Sequence, residues 1–511
     1  VLAALQAAGV GITAVCGGVG ACGACVVQVS RGALAPPDPD EAARLGPSAA
    51  AAGYRLACAA RVTAPGEVVV EPVNGVGAPL SQTEGPAVAL PAPRTSPRRR
   101  APLGLAVDLG TTGLAAYLVD PAGRVLASVG APNPQVTFGE DVMARLTVAL
   151  TDPARAASMR TVLAAEVDRL VGVLCRRAGV ARRAVGEAVV VGNTAMHHLF
   201  FGLPVARLAW APYVPAERGE RTVPADDVGL RLARGATVTS PPVVAGFVGA
   251  DHVAMLLAAG APDVPADRLV AFCDVGTNTE ISLVGRGRHL ACSAAPGPAF
   301  EGAHVEAGMR AAPGAIDAVT WADGRPVVRT VGDAPAVGIC GSGLLDAVAV
   351  LRAHGVVTEV GALRGDHPLV TPDGVVLAPP TDGSVRPVRL TRRDVGQVQL
   401  AKAAIRAGLR LLTEAAGVGE DAIDEIVLAG AFGTYLDPGS ARAVGLVPPG
   451  PDVRQVGNAA GAGACLLLAD PERRAAAARL ADEVRYVELT GHPEFADRFT
   501  QALRLAPDPR D

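Results

Sequence analysis

The sequence predicts a multidomain α+β and α/β chain: a small cysteine-bearing β domain, a linker, and a duplicated core of alternating strands and helices. Three observations carry this. Four of the nine cysteines fall within the first 58 residues. Residues 74–102 are rich in Pro, Ala and Gly and show no helical or strand period. Beyond them one order of strands and helices occurs twice, with Asp108-Leu-Gly-Thr-Thr and Asp274-Val-Gly-Thr-Asn in equivalent places.

Residues 1–73 hold the cysteine cluster and end in an alternating strand, Glu67–Pro72. Residues 74–102 form a linker, semi-extended where proline dominates, on which a small domain could swing. In the first half, residues 103–262, the pattern predicts strands at Leu103–Asp108, Gly113–Val119 and Val125–Val129 and one long helix over Asp141–Arg177. Strands at Ala188–Val191 and Val243–Gly246 follow, the second leading into a helix at Asp251–Ala259. In the second half, residues 263–511, the matching strands are Leu269–Asp274, Glu280–Val284 and His289–Cys292, then a helix at Asp394–Ala415. Strands at Glu425–Ala429 and Val453–Val456 and a helix from Asn458 complete the repeat of a βββαβα unit, and residues 310–390 read as an insertion.

Composition narrows the function classes. Half of the 511 residues are apolar but only 3% are aromatic, so Ala, Val and Leu must build the cores. The net charge of -4, with no basic run beyond Arg98, Arg99 and Arg100, gives no nucleic-acid footprint. No uncharged apolar run reaches the ~18 residues of a transmembrane helix, and no signal peptide is visible. Nine cysteines are too few for a secreted disulfide scaffold, which makes the cytoplasm the expected compartment. Lys402 is the single lysine, so the lysine-bearing phosphate loop is excluded and any ATP site must bind phosphate without it.

Cys16-Gly-Gly-Val-Gly-Ala-Cys22-Gly-Ala-Cys25 has the spacing C-x5-C-x2-C, and Cys58 follows at a distance. A [2Fe–2S] cluster needs four converging thiolates. Three come from one loop if Gly17, Gly18, Gly20 and Gly23 let the backbone wrap the sulfides. Structural zinc prefers two C-x2-C pairs, and only one is present. Cys175, Cys273, Cys292, Cys340 and Cys465 lack ligand spacing and read as core residues. The cluster motif resembles ferredoxins of the plant and adrenodoxin types, with the longer gap of the latter, which implies a β-grasp-like domain. Those domains begin with a β-hairpin, and this chain starts after the place where it belongs.

Asp108-Leu-Gly-Thr-Thr-Gly113 follows a buried strand and turns into the next, presenting backbone N–H groups and hydroxyls to an anion. The aspartate at the strand end can hold Mg²⁺ through water. Asp274-Val-Gly-Thr-Asn-Thr-Glu280 repeats the arrangement, and Leu428-Ala-Gly-Ala-Phe-Gly433 can cover a nucleoside with backbone. Glu280 is a candidate base if strand alternation points it inward. Gly341-Ser342-Gly343 opens a helix whose N-terminus is either an anion site or a simple entry turn. This set resembles the ASKHA superfamily, with two ribonuclease-H-like halves and ATP in the cleft. The resemblance implies Asp108, Gly110, Thr111 and Thr112 as the first phosphate motif, and Asp274, Gly276, Thr277 and Asn278 as the second. It implies Gly430 and Gly433 as the adenosine motif. Lys402 lies on the preceding helix, either reaching the nucleotide or sitting at the surface.

A ferredoxin domain joined to an ASKHA ATPase resembles the reductive activators of corrinoid proteins. The resemblance extends to Asn133-Pro-Gln135, Phe138–Val142, Gly192–His198, Pro296–Gly302 and Glu488–Phe495. It implies ATP-dependent reduction of Co(II) to Co(I) in a methyltransferase corrinoid protein, an upstream electron donor, and a possible homodimer. An activator of another low-potential or radical enzyme, and a small-molecule kinase with an accessory Fe–S domain, are the alternatives. The loop carrying Ser293, Gly297 and Glu301 is a candidate contact with the corrinoid partner, or else a flap over the nucleotide.

Overall fold

The computed structural model describes residues 1–7, 12, 18, 20, 25–46, 49, 52–63, 67–72, 102–302, 304–380, 387–433 and 435–505. Cys16, Cys22 and the linker at 74–101 lie outside them. The described residues form two compact units: 1–72, 102–251 and 464–474 in one, 252–463 and 475–505 in the other.

The first unit opens with helix α1 (Leu2–Ala7), strand β1 (Val26–Arg31), helix α2 (Pro39–Leu45), β2 (Tyr54–Leu56) and β3 (Val69–Pro72). The strands make an antiparallel sheet in the order β2-β1-β3. Asp38 caps α2 through the Glu41 N–H, and Pro39 fits the first helical position, where its missing N–H costs nothing. Glu41 is buried, yet it takes two hydrogen bonds from the Arg55 guanidinium (2.8 and 2.9 Å) and one from the Leu56 amide (2.8 Å). This planar two-point pair fixes β2 against α2 just ahead of Cys58.

The first repeat consists of β4 (Leu103–Leu109), β5 (Gly113–Val119), β6 (Val125–Pro132), helices α3 (Val142–Thr151) and α4 (Pro153–Ala178), β7 (Val185–Gly192), α5 (Thr194–Phe201), β8 (Arg221–Pro224), β9 (Thr237–Ser240) and α6 (Ala250–Ala259). The second consists of β10 (Leu269–Val275), β11 (Thr279–Gly285), β12 (Arg288–Ala294), helix α8 (Arg392–Ala415), β19 (Glu425–Ala429), β20 (Asp452–Gln455) and the helix Ala459–Ala469. The sheet orders are β6-β5-β4-β7-β9-β8 and β20-β19-β10-β11-β12-β21, with β21 at Arg485–Tyr486. Read from opposite ends they superpose strand for strand over five positions, so the duplication expected from the sequence is present. Each central strand is buried on both faces, which explains the unbroken apolar runs of β4 and β10.

Three expectations need correction. The helix expected over Asp141–Arg177 is two, because Asp152 ends α3 and its carboxylate caps α4, which starts at Pro153. Proline has no N–H to continue a helix, so the chain turns there. Val243–Gly246 is not a strand; β9 fills that place, paired with β7 and β8. The insertion carries two small sheets, β14-β13-β15 and β16-β17-β18, around helix α7 (Gly341–Ala353). Their strands are Ala315–Ala322, Arg325–Thr330, Gly338–Ile339, Val370–Thr371, Gly374–Ala378 and Val388–Leu390 for β13 to β18. Helix α8 begins two residues earlier than expected, at a capping box in which Thr391 and Asp394 bond each other's backbone N–H.

No helix among the described residues is long and apolar enough to cross a membrane.

Candidate functional site

Cys25 stands just ahead of β1 and Cys58 just after β2, and the Ala57 amide donates to the Cys25 carbonyl at 2.8 Å. The two thiols meet: hydrogen bonding from Cys58 draws the Cys25 thiol down to about 6, against a smaller opposing effect of burial. Three cysteines of the core behave oppositely. Burial pushes the Cys273 and Cys465 thiols up to about 12 and Cys292 well above its usual value. Cys175 and Cys340 are also buried, so all five are core residues, as expected. A thiol with thiolate character beside a second thiol fits a metal-cluster ligand pair. Gly18 and Gly20 both have positive φ (+90° and +83°), consistent with a loop that wraps a cluster. A Cβ on Gly18 would fall 2.6 Å from Leu2 and 3.9 Å from the Cys58 Cβ.

Asp108 is the penultimate residue of β4, opposite Ala115 of β5 and Val191 of β7. Behind it, the loop Gly110–Thr112 is held by residues that motif reading did not assign. Asn133 donates its side-chain amide to the Gly110 carbonyl (2.8 Å) and its backbone N–H to the Thr112 carbonyl (2.9 Å). Asn193, the N-cap of α5, donates to the Thr111 hydroxyl at 2.9 Å. Arg145 is fully buried; its guanidinium donates to the Thr111 carbonyl (2.5 Å) and the Gly139 carbonyl (2.9 Å). The carbonyls of the loop are thereby turned inward and tied. Gly110 is required, because a Cβ there would lie 2.6 Å from the Gly113 oxygen. A phosphate-binding loop without lysine needs this rigidity, since backbone N–H groups bind anions only when preorganised.

In the second unit Asp274 lies opposite Glu280 of β11 and beside Ala429 of β19. Direct cross-strand partners share one sheet face, so two carboxylates stand together where the first repeat has Asp108 and Ala115. Glu280 is buried and accepts from the Ser293 hydroxyl at 3.2 Å, so strand alternation points it inward. The turn closes through a Gly276 N–H bond to the Asn278 carbonyl (3.1 Å), and Thr277 donates its hydroxyl to Glu301. Gly430 (φ +87°) rests against this turn: a Cβ would meet the Val275 oxygen at 2.6 Å and Asp274 Oδ1 at 2.7 Å. Gln455 donates to the Gly433 carbonyl (2.6 Å) and the Leu436 carbonyl (2.7 Å), fixing the far end of that motif. Phe300 and Phe432 stack in parallel with centroids 4.3 Å apart. The Pro296–Gly302 loop is therefore tied to both the turn after β10 and the Gly430–Gly433 segment.

Two expectations fare differently. Gly341 and Gly343 have a packing reason, since Cβ atoms there would come within 1.9 Å of the Phe300 oxygen and 2.2 Å of the Ile316 oxygen. Ser342 donates its hydroxyl to the Asp317 carbonyl at 2.9 Å, the role of a helix-entry residue. Lys402 is neither at the surface nor aimed at the nucleotide motifs. It is buried on α8 and donates to the carbonyl of Arg504, so its ammonium group secures the C-terminal segment.

Comparison with known proteins agrees with this geometry. Residues 1–63 match the 2Fe-2S iron-sulfur cluster binding domain, residues 103–262 the RACo middle region, and residues 268–510 the C-terminal domain of RACo, the ASKHA domain. The chain is 33% identical over 413 residues to the corrinoid activation enzyme RamQ of Eubacterium limosum, covering 78% of this chain and 69% of that protein. It is 28% identical over 388 residues to the [Co(II) methylated amine-specific corrinoid protein] reductase of Methanosarcina barkeri, covering 68% of this chain and 66% of that protein. It thus spans about two thirds of the length of either relative. A solved reductive activator for a corrinoid, iron-sulfur protein superposes with a TM-score of 0.73 at 28% identity, over 100% of this chain and 96% of that one. With its 2Fe-2S domain matched and its core duplicated, the chain belongs to the family of reductive activators of corrinoid proteins, in which a [2Fe–2S] domain is fused to an ASKHA ATPase.

Proposed function

We propose that this chain uses ATP to drive single electrons from its [2Fe–2S] cluster into the corrinoid of a partner protein, returning Co(II) to Co(I). The carrying observation is that Cys25 and Cys58 come together where β1 pairs with β2, in a domain that matches the 2Fe-2S cluster binding family. Cys16 and Cys22 complete the ligand set. The cluster supplies a one-electron carrier of a class near about -400 mV, and ATP supplies binding energy that differs between two states of the chain.

Cys25 and Cys58 fix two corners of the cluster, and the Glu41–Arg55 pair holds the second in register. Gly110, Thr111 and Thr112 bind phosphate with amides and hydroxyls, as do Gly276, Thr277 and Asn278. Asp108 in the first unit and Asp274 in the second each end a strand where a carboxylate can hold Mg²⁺ through water, and Gly430 and Gly433 approach the nucleoside. Glu280 is the cross-strand partner of Asp274 and would accept a proton from the attacking water. Glu301 orients the Thr277 hydroxyl, which makes its loop a nucleotide-site element before any partner contact. Gly341–Gly343 serve the packing under that loop. The upstream donor is a separate reductant.

The test is anaerobic mixing of the reduced chain with Co(II) corrinoid proteins, with and without ATP, following the Co(I) absorption. Co(I) formation that requires ATP is expected. ATP hydrolysis with no Co(I) for any candidate points to another low-potential acceptor and removes this reading.

A further inference from the structure

Segment 133–139 is bonded on two sides. On one side Asn133 ties it to the Gly110 and Thr112 carbonyls of the first phosphate loop, and Arg145 ties its end at Gly139 to Thr111. On the other side it meets the cluster domain. Gln6 on α1 is buried and donates its side-chain amide to the Thr137 carbonyl. Arg155 on α4 donates to the Gln6 side-chain oxygen at 3.4 Å and lies over the Phe138 ring, 5.8 Å from its centroid. A Cβ on Gly18, in the cysteine loop, would lie 3.4 Å from the same guanidinium. Five side chains in a row, from Asn133 to Phe138 with Pro134 excepted, are buried, so the segment is dense and transmits displacement rather than absorbing it.

We infer that α1 docks the cluster domain onto segment 133–139, and that Gln6 and Arg155 are positioning residues coupling the first phosphate loop to the place of the cluster. The two-state element is the docking itself. The polar contacts described at this seam, Gln6 with the Thr137 carbonyl and Arg155 with Gln6, are of the kind that can break and re-form. A nucleotide that draws the Gly110–Thr112 amides toward its phosphates shifts the carbonyls that Asn133 and Arg145 hold. The Thr137 carbonyl then moves under Gln6, and the docked and released populations change. This rests on the ATP-driven reading above and adds how the nucleotide reaches the redox domain.

The experiment uses the full cluster-loaded chain. Amide hydrogen exchange of residues 2–7 is measured by mass spectrometry with and without a non-hydrolysable ATP analogue. In the parent chain the rate there should change about 2- to 30-fold, the span of ordinary coupling energies. Arg155→Ala and Gln6→Ala should each abolish that response while keeping the visible absorption of the cluster and the basal ATPase. The Co(I) formed per ATP hydrolysed should fall in both. Arg155→Lys, which keeps the charge but not the planar contact with Phe138, should respond in between. If exchange at residues 2–7 ignores the nucleotide in the parent, or if both alanine variants keep the full response, the inference is overturned. A parent that responds at residues 2–7 but reduces no Co(II) corrinoid supports the docking and overturns only the acceptor.

Discussion

Asp108 and Asp274 occupy the same place in the two repeats but have different company. Asp108 faces an alanine across the ladder, whereas Asp274 faces Glu280. Replacing either by alanine removes a group that would steady charge on the phosphates, and such losses cost about 10²–10³ in rate. Steady-state ATPase of Asp108→Ala and Asp274→Ala should fall by that factor while the reduced cluster keeps its paramagnetic resonance signal. Parental ATPase in both would displace the nucleotide site from these strands. Gly430 provides a second test. Its left-handed backbone and the two oxygens at 2.6 and 2.7 Å leave no room for a methyl group. Gly430→Ala should lower the melting temperature and weaken ATP-induced stabilisation in thermal unfolding, with strain of about 1–2 kcal/mol added to the displacement of Asp274. An alanine variant that ATP stabilises as well as the parent would refute the close approach.

At the scale of elements, the Pro296–Gly302 loop decides between two readings. Its Glu301 holds Thr277, its Phe300 stacks on Phe432, and its anchor Ser293 holds Glu280. Glu301→Gln and Ser293→Ala should therefore lower ATPase and corrinoid reduction in step, with partner affinity in a pull-down unchanged. Reduction and affinity falling at constant ATPase would make the loop a partner contact instead. The repeats, their central strands and the tight turns after β4 and β10 were legible because buried strands leave apolar runs and tight turns leave Gly and Thr at fixed offsets. The braces were not. Asn133, Arg145 and Asn193 come from three different elements, and nothing in their own neighbourhoods shows that they converge on Gly110–Thr112. Lys402 misled for the same reason: its partner, Arg504, is about a hundred residues away in sequence. The false strand at Val243–Gly246 shows that an apolar run bounded by prolines and glycines cannot tell a strand from a buried loop.

At the scale of the whole molecule, three histidines govern the acid limb of stability. Burial pushes His197 and His252 down to about 3 and His289 down to about 4. Unfolded, each binds a proton below ~6.5, and folded it does not. Stability is therefore complete above pH ~6.5 and drains as pH falls toward the folded values, by at most about 1.4 kcal/mol per pH unit for each histidine. Urea midpoints followed by far-ultraviolet circular dichroism should drop steadily from pH 6.5 to 5. His197→Phe should make the drop shallower, and a midpoint constant over that range would contradict the burial of these rings.

The insertion between β12 and α8 has a consequence for the order of assembly. In the first repeat β4 finds its parallel partner β7 from Leu103 to Val185; in the second β10 must wait for β19, from Val270 to Glu425. That is nearly twice the separation, and each doubling adds about 0.6 kcal/mol to the cost of closing the chain. Contacts so distant in sequence also form slowly, and a nascent chain delivers its N-terminal parts first. The strands of the cluster domain and of the first sheet are all made before the insertion, although residues 464–474, which complete that unit, come after it. The meeting of Asp274 with Gly430 waits until the insertion and β19 have been made, so the ability to grip a nucleotide reports that synthesis has passed both. Pulse-labelled refolding should show β4 and β7 protected before β10 and β19.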